Sequence, residues 1–297
     1  PLIPALIIAI LWFSSRILFC RREGHDSSIL TPYPALRLSP NITILLSIRI
    51  PNSNEFTGVG TASKIGKKIN KDILKDCILK VENITKEVNS PEGTLTIVRD
   101  INLSVKQGKP ISLVGPSGSG KTTLLAIMAG LDLPTAGTVR LLGSQITSLD
   151  EDKRAQIRGK DVGFVFQSFH LMPRLTALDN VMLPLEISGD PNSADKAYEA
   201  LNQVGLSKRA KHFASQLSGG EKQRVAIARS IVNKPKIIFA DEPTGNLDKK
   251  NANNIFSLLN VLVKNNKSSL IMATHDLDIA LKLNRNLKID NGQLKDI

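Results

Sequence analysis

The sequence predicts an α/β fold: a mainly parallel sheet covered by helices on both faces, with a smaller antiparallel sheet attached. Three observations predict it. From Cys77 onward, short strand-like runs alternate with runs of helical spacing, the pattern of a layered sheet-and-helix unit. Runs such as ISLV and IIFA are apolar throughout, as strands buried on both faces are. At the front, CILKVENITKEV and TLTIVRDINLSV alternate like strands on either side of a Pro-Glu-Gly turn, which suggests an antiparallel pair.

After the strand pair, KPISLVG gives a short strand, and TLLAIMAGL has helical spacing. Gly137 and Thr138 precede a strand in VRLLG, and DVGFVFQ is a strand ending in the polar Gln167. LTALDNVMLPLEI, ADKAYEALNQVGL and EKQRVAIARSIV look helical. KIIFADEP is a buried strand ending in two acids, NIFSLLNVLVKN is helical, SLIMATHD is a strand, and DIALKL is a short helix. No internal repeat is visible.

Composition narrows the class. The chain has 297 residues, 41% hydrophobic and 22% charged, ordinary for a globular protein. Two cysteines, Cys20 and Cys77, make neither a disulfide framework nor a metal pattern, which fits a reducing cytoplasm. The net charge is +12, and the first 75 residues supply half of it, with 10 Lys/Arg against 4 Asp/Glu. The rest is only mildly basic. That favours an anionic ligand or a membrane surface, and no motif that reads RNA or DNA is present.

Residues 1–75 do not match the rest of the chain. PLIPALIIAILWF is 13 residues of apolar sequence, short of the ~20 that a membrane span needs. Residues 23–75 show no sustained period, and the first methionine is Met128. The preferred reading is an extension outside the fold, arising from a misplaced start. The alternative is an N-terminal anchor with Arg16, Arg21 and Arg22 on the cytoplasmic side. The body, 76–297, is expected to fold as one unit.

The chemistry sits at the ends of the predicted strands. Gly115-Pro116-Ser117-Gly118-Ser119-Gly120-Lys121-Thr122 fits G-x-x-x-x-G-K-[ST] between an apolar strand and a helix, the context that a phosphate-binding loop requires. There the glycines let backbone N–H groups wrap phosphates. Lys121 reaches the terminal ones, and the Thr122 hydroxyl ligates Mg²⁺. Asp241 and Glu242 end a buried strand; one can hold the Mg²⁺ shell and the other can orient the attacking water. A surface acid pair capping a turn is the other reading. Gln167 could touch Mg²⁺ or water, or be an ordinary loop residue. His275, at the end of SLIMAT, sits where ligands bind in such sheets, or caps a helix with Asp276.

A second anion site stands in QLSGGEKQ. Ser218 is a favoured N-cap, and Glu221 completes a capping box. The two glycines between them leave helix-start N–H groups bare, and the helix dipole adds positive potential.

GPSGSGKT, FVFQ, LSGGE, IIFADE and ATHD stand in this order over residues 77–297. That order resembles the ATP-binding-cassette ATPases, whose signature sequence is LSGGE. GFVFQSFHLMPRLTALDNVMLPL and DEPTGNLD look like the ATPase subunits of the lipoprotein-release and macrolide-export type. The resemblance implies a P-loop NTPase fold with a RecA-like, mainly parallel sheet, an antiparallel β subdomain and a helical subdomain over about 168–228. It implies ATP and Mg²⁺ as cofactors. ATP would be held by Gly115 through Thr123 of one chain and by Ser218, Gly219 and Gly220 of a second copy, paired head to tail. Thr122, Gln167 and Asp241 would serve the metal. Glu242 would be the catalytic carboxylate, His275 would hold the γ-phosphate, and Gln167 would link the nucleotide to a membrane partner. Asn246, Leu247 and Asp248 would form the loop that crosses the dimer interface.

The resemblance further implies an ATP-hydrolysing transporter subunit at the cytoplasmic face of the plasma membrane, peripheral, coupled to a separate permease and not to nucleic acid. A soluble cassette ATPase acting on nucleic acid or ribosomes is the alternative. One position departs from the family: Val88 stands where an aromatic residue would stack on adenine.

Overall fold

The computed structural model describes residues 77–90 and 93–297; the readings of residues 1–75 lie outside the described residues. The chain builds two sheets. The first holds β1 (Cys77–Ser90), β2 (Gly93–Lys106), β4 (Ala136–Leu141) and β5 (Ser144–Gln145). It is antiparallel, in the order β2-β1-β4-β5. The expected strand pair is therefore half of a four-stranded sheet.

The second sheet is the framework of the site. It holds β3 (Ile111–Val114), β6 (Val162–Val165), β7 (Ile237–Asp241), β8 (Ser269–Thr274), β9 (Arg285–Asp290) and β10 (Gln293–Asp296), in the order β10-β9-β3-β8-β7-β6. All pairs are parallel except the terminal β9–β10 hairpin. That hairpin turns through Asn291 and Gly292, with φ of 47° and 73°, the two positive angles that a tight two-residue hairpin turn demands.

Alternation along β7 explains why the run is apolar throughout. Ile237 and Phe239 face a core shared with β1, β2, β4 and α1 (Lys121–Met128). Ile238 and Ala240 face a second core. That core also takes in α3 (Ala177–Ile187), α4 (Ser193–Gln203), α5 (Gly219–Ile231) and α6 (Lys249–Asn265). A strand between two cores has no polar face to show.

Three readings shift in detail. The FVF strand ends at Val165, so Gln167 stands in the loop beyond it. The strand before the two acids ends at Asp241, leaving Glu242 outside it. The helix over NIFSLLNVLVKN starts five residues earlier, at Lys249, where the Asp248 carboxylate caps it by accepting from the Asn251 N–H at 3.0 Å. A short α7 (Leu277–Ala280) follows β8. No helix among the described residues is long and apolar enough to cross a membrane.

Candidate functional site

The central strands run in the order β3-β8-β7 and are parallel, so their C-terminal ends lie side by side. The chain places Gly115–Gly120 after β3, His275 after β8, and Asp241 with Glu242 at the end of β7. This is the edge at which parallel sheets bind ligands.

The loop after β3 needs its glycines. Gly118 and Gly120 have φ of 79° and 98°, where a side chain would strain the backbone. A Cβ at Gly115 would lie 2.6 Å from the Ile289 carbonyl and 2.7 Å from the Ser119 hydroxyl. Pro116, Ser117 and Gly118 are exposed, and Ser119 tucks its hydroxyl inside without a hydrogen-bond partner. Gly120 precedes α1 as its N-cap. Lys121 and Thr123 turn inward while Thr122 is exposed. The Lys121 side chain is 6% exposed, and its ammonium donates to the carbonyls of Gly115 at 2.8 Å and Pro116 at 2.9 Å. The loop therefore curls around its own lysine.

The acids meet this loop directly. The Glu242 carboxylate lies 3.5 Å from the Lys121 ammonium through Oε1. Its Oε2 accepts from the His275 backbone N–H at 3.2 Å and sits 2.8 Å from His275 Nδ1. Glu242 has φ of 46°, a left-handed conformation that costs a non-glycine residue of order 1–3 kcal/mol. It is held there at both backbone ends: its N–H donates to Ala273 O, and its carbonyl accepts from Gly245 N–H. Strain of this kind clusters at functional sites. Asp241 is buried, and one carboxylate oxygen has no partner. Burial pushes its carboxyl up from the usual range, opposed by a hydrogen bond from the Thr122 hydroxyl.

Gln167 joins the cluster from the side. A Cβ at Gly245 would come within 3.3 Å of its amide nitrogen, and the Asn246 amide donates to its backbone carbonyl at 2.9 Å. Lys121, Thr122, Asp241, Glu242, His275 and Gln167 thus form one cluster. The signature residues stand apart. Ser218 caps α5, accepting from the Glu221 N–H at 3.3 Å, while the Glu221 carboxylate accepts from the Ser218 N–H at 2.9 Å. That backbone hydrogen bond is the main lowering influence on Glu221, and it holds the carboxyl below its usual value, with Arg209 adding to it. Ser218 and Gly219 are exposed, and Gly219 faces Leu247. Among the described residues, no hydrogen bond or ion pair joins Ser218–Gly220 to Gly115–Thr123.

One residue was not legible as part of this region. Arg229, on α5, donates to the carbonyls of His170 at 2.7 Å and Phe169 at 2.8 Å. Its partners lie about sixty positions earlier in the chain, so no local pattern announces it.

The chain matches known proteins over this same region. The family described as ABC transporter matches residues 98–245. The ABC transporter ATP-binding protein YbbA of Escherichia coli (strain K12) is 48% identical over 221 residues, 74% of this chain and 97% of that protein. The lipoprotein-releasing system ATP-binding protein LolD of Shewanella frigidimarina (strain NCIMB 400) is 41% identical over 223 residues, 74% of this chain and 93% of that protein. Among solved structures, a dimeric post-hydrolysis state of the ATP-binding cassette MJ0796, bound to ADP and Pi, has a TM-score of 0.69 at 38% identity. It covers 74% of this chain and 97% of that chain. With identity this high over nearly the full length of these relatives, the chain belongs to the ATP-binding-cassette ATPases, the ATP-binding proteins of ABC transporters.

Proposed function

We propose that residues 77–297 bind ATP with Mg²⁺ at the C-terminal edge of the β3-β8-β7 sheet and hydrolyse it with Glu242 as the catalytic carboxylate. The observation that carries this reading is Glu242 itself, buried and fixed between Lys121 and His275 on neighbouring strand ends. Gly115 through Thr123 present backbone N–H groups and the lysine to the phosphates. Phosphate oxygens would displace the Gly115 and Pro116 carbonyls as acceptors for Lys121, which converts a self-satisfied loop into a nucleotide clamp. Glu242 then orients water for attack and accepts its proton. His275, exposed beyond the buried carboxylate it touches, reaches the γ-phosphate.

The residues present suit Mg²⁺. Among the described residues no group of three or more His, Cys, Asp or Glu side chains could hold a metal. The Asp241 carboxylate with its unpartnered oxygen and the Thr122 hydroxyl are hard oxygen donors, and Gln167 adds an amide oxygen. Mg²⁺ takes few protein oxygens and completes its shell with water and phosphate. Bound there, it would neutralise charge developing on the phosphate oxygens.

The assembly we propose is a head-to-tail dimer in which Ser218, Gly219 and Gly220 of a second copy close over the γ-phosphate. It works at the cytoplasmic face of the membrane and drives a separate permease. The dimeric state of the MJ0796 cassette and the part that LolD plays in a lipoprotein-releasing system support this reading. The test is Glu242→Gln in the full chain. ATP binding should persist while turnover falls by about 10²–10⁴-fold, the usual worth of a general base. Undiminished turnover would remove Glu242 from the chemistry.

A further inference from the structure

The segment after Gln167 is held by contacts from outside the Lys121–Glu242–His275 cluster. Phe169 and His170 are consecutive non-glycine residues with positive φ, 60° and 46°, which side-chain sterics disfavour. Such a turn persists only when its surroundings hold it. Here the Arg229 guanidinium grips both carbonyls of the turn. Arg229 donates from Nη1 to His170 O at 2.7 Å and from Nη2 to Phe169 O at 2.8 Å. The fork matches two adjacent carbonyls, which a single ammonium cannot grip in the same way. Desolvation pulls Arg229 down to about 10, so it stays charged at neutral pH. Aromatic packing supports the same turn: Phe164 stacks on Phe166 at 4.2 Å, and Phe166 meets the His170 ring edge-on at 4.8 Å. At the other end of the loop, Asn246 holds the Gln167 carbonyl, and the bare Gly245 leaves room for the Gln167 amide.

We infer that Arg229 is a positioning residue for ATP hydrolysis: it locks the Phe169–His170 turn so that Gln167 faces the Glu242–Gly245 loop. The inference rests on the proposed role of Gln167. It also assigns a task to α5. The N-cap of that helix is Ser218, and Arg229 stands in its last turn, about 16 Å further along at 1.5 Å per residue. One rigid element therefore carries the signature loop at one end and the clamp on Gln167 at the other.

The experiment is a double-mutant cycle on the full chain, reading kcat and KM for Mg-ATP, with Arg229→Gln, Arg229→Lys, Gln167→Ala and the pairs. Arg229→Gln should lower kcat by about tenfold to a hundredfold, the usual penalty for misplacing a reacting group. KM should change by no more than about twofold, because ground-state binding is untouched. Arg229→Lys should fall between the two. In the Gln167→Ala background, Arg229→Gln should slow turnover no further. Equal slowing with and without Gln167 would overturn the inference while leaving the role of Gln167 standing. Full turnover by Gln167→Ala would overturn both. If Arg229→Gln does not fold, the same cycle with Arg229→Lys decides the matter. Phe169→Gly adds a second arm: glycine accepts the left-handed angle freely, so it should restore part of the kcat lost in Arg229→Lys. No recovery would count against the clamp.

Discussion

At the residue scale, the site is built from groups that oppose one another. Asp241 is buried beside Glu242, and both burial and that neighbouring charge push its carboxyl up. A raised acid binds its proton more tightly folded than unfolded. Stability from this group is therefore lost as pH rises through the raised value, unless a cation takes the proton's place. Bound Mg²⁺ favours the charged carboxylate, so its stabilising effect should grow with rising pH and fade as pH drops through the raised value. Melting the chain with Mg-ATP and with ATP alone, from about pH 4 to 7, checks this. The gap between the two melts should widen with pH, and Asp241→Asn should flatten it. Val88 offers a second residue-scale prediction. It pairs across the β1–β2 hairpin with Leu95, which is 58% exposed, so the position where the resemblance implies an aromatic platform carries two aliphatic side chains. Val88→Tyr should tighten ATP by roughly 1–3 kcal/mol, the worth of base stacking. Titration with ATP would show it, and no gain would put adenine elsewhere.

At the element scale, α5 depends on its cap. Ser218 and Glu221 satisfy each other's backbone N–H groups at the helix start. Ser218→Ala removes one of those bonds and should cost about 1 kcal/mol of stability, read as a lower midpoint in a denaturant melt with unchanged slope. This element was legible in advance, because a capping box is a local rule. The strand ends were legible for the same reason: apolar runs stopping at Gly115, Asp241 and His275 fix chemistry by position in the chain. Other elements were not. α2 (Glu151–Asp161) buries none of its residues, so it shows no apolar stripe, and its Asp150 cap with Glu151 and Asp152 in the first turn was the only signal. β9 buries only Leu287 and Ile289, too short an alternation to stand out, although the Asn291-Gly292 turn after it announces a hairpin. Gln167 was placed on a strand end because FVFQ reads continuously; the strand stops at Val165, and the loop beyond depends on Arg229 from α5. Long-range contacts of that kind have no local periodicity.

At the scale of the whole molecule, the two anion sites we propose do not meet through any hydrogen bond or ion pair among the described residues. One is the loop around Lys121, and the other is the bare start of α5 next to Leu247. In the proposed head-to-tail dimer, a single γ-phosphate seen by both would lie between two copies. In that dimer ATP would supply the charge that joins the two surfaces, and hydrolysis would remove it. Glu242→Gln keeps the shape and hydrogen-bonding reach of the side chain, abolishes the carboxylate proposed to activate water, and removes a negative charge beside where the phosphates would sit. The variant should accumulate as a dimer with ATP and Mg²⁺ and remain monomeric with ADP, measured by size exclusion with light scattering. Ser218→Arg in the same chain then places a long side chain where the partner's phosphate would sit. It should abolish the dimer while leaving ATP on the loop of each monomer, which titration of a fluorescent analogue would show. Glu242→Gln that stays monomeric at saturating ATP would count against a dimer held by nucleotide alone. A Ser218→Arg double variant that still dimerises would overturn the account of why α5 begins with Ser-Gly-Gly, because the second anion site would then have no phosphate to bind.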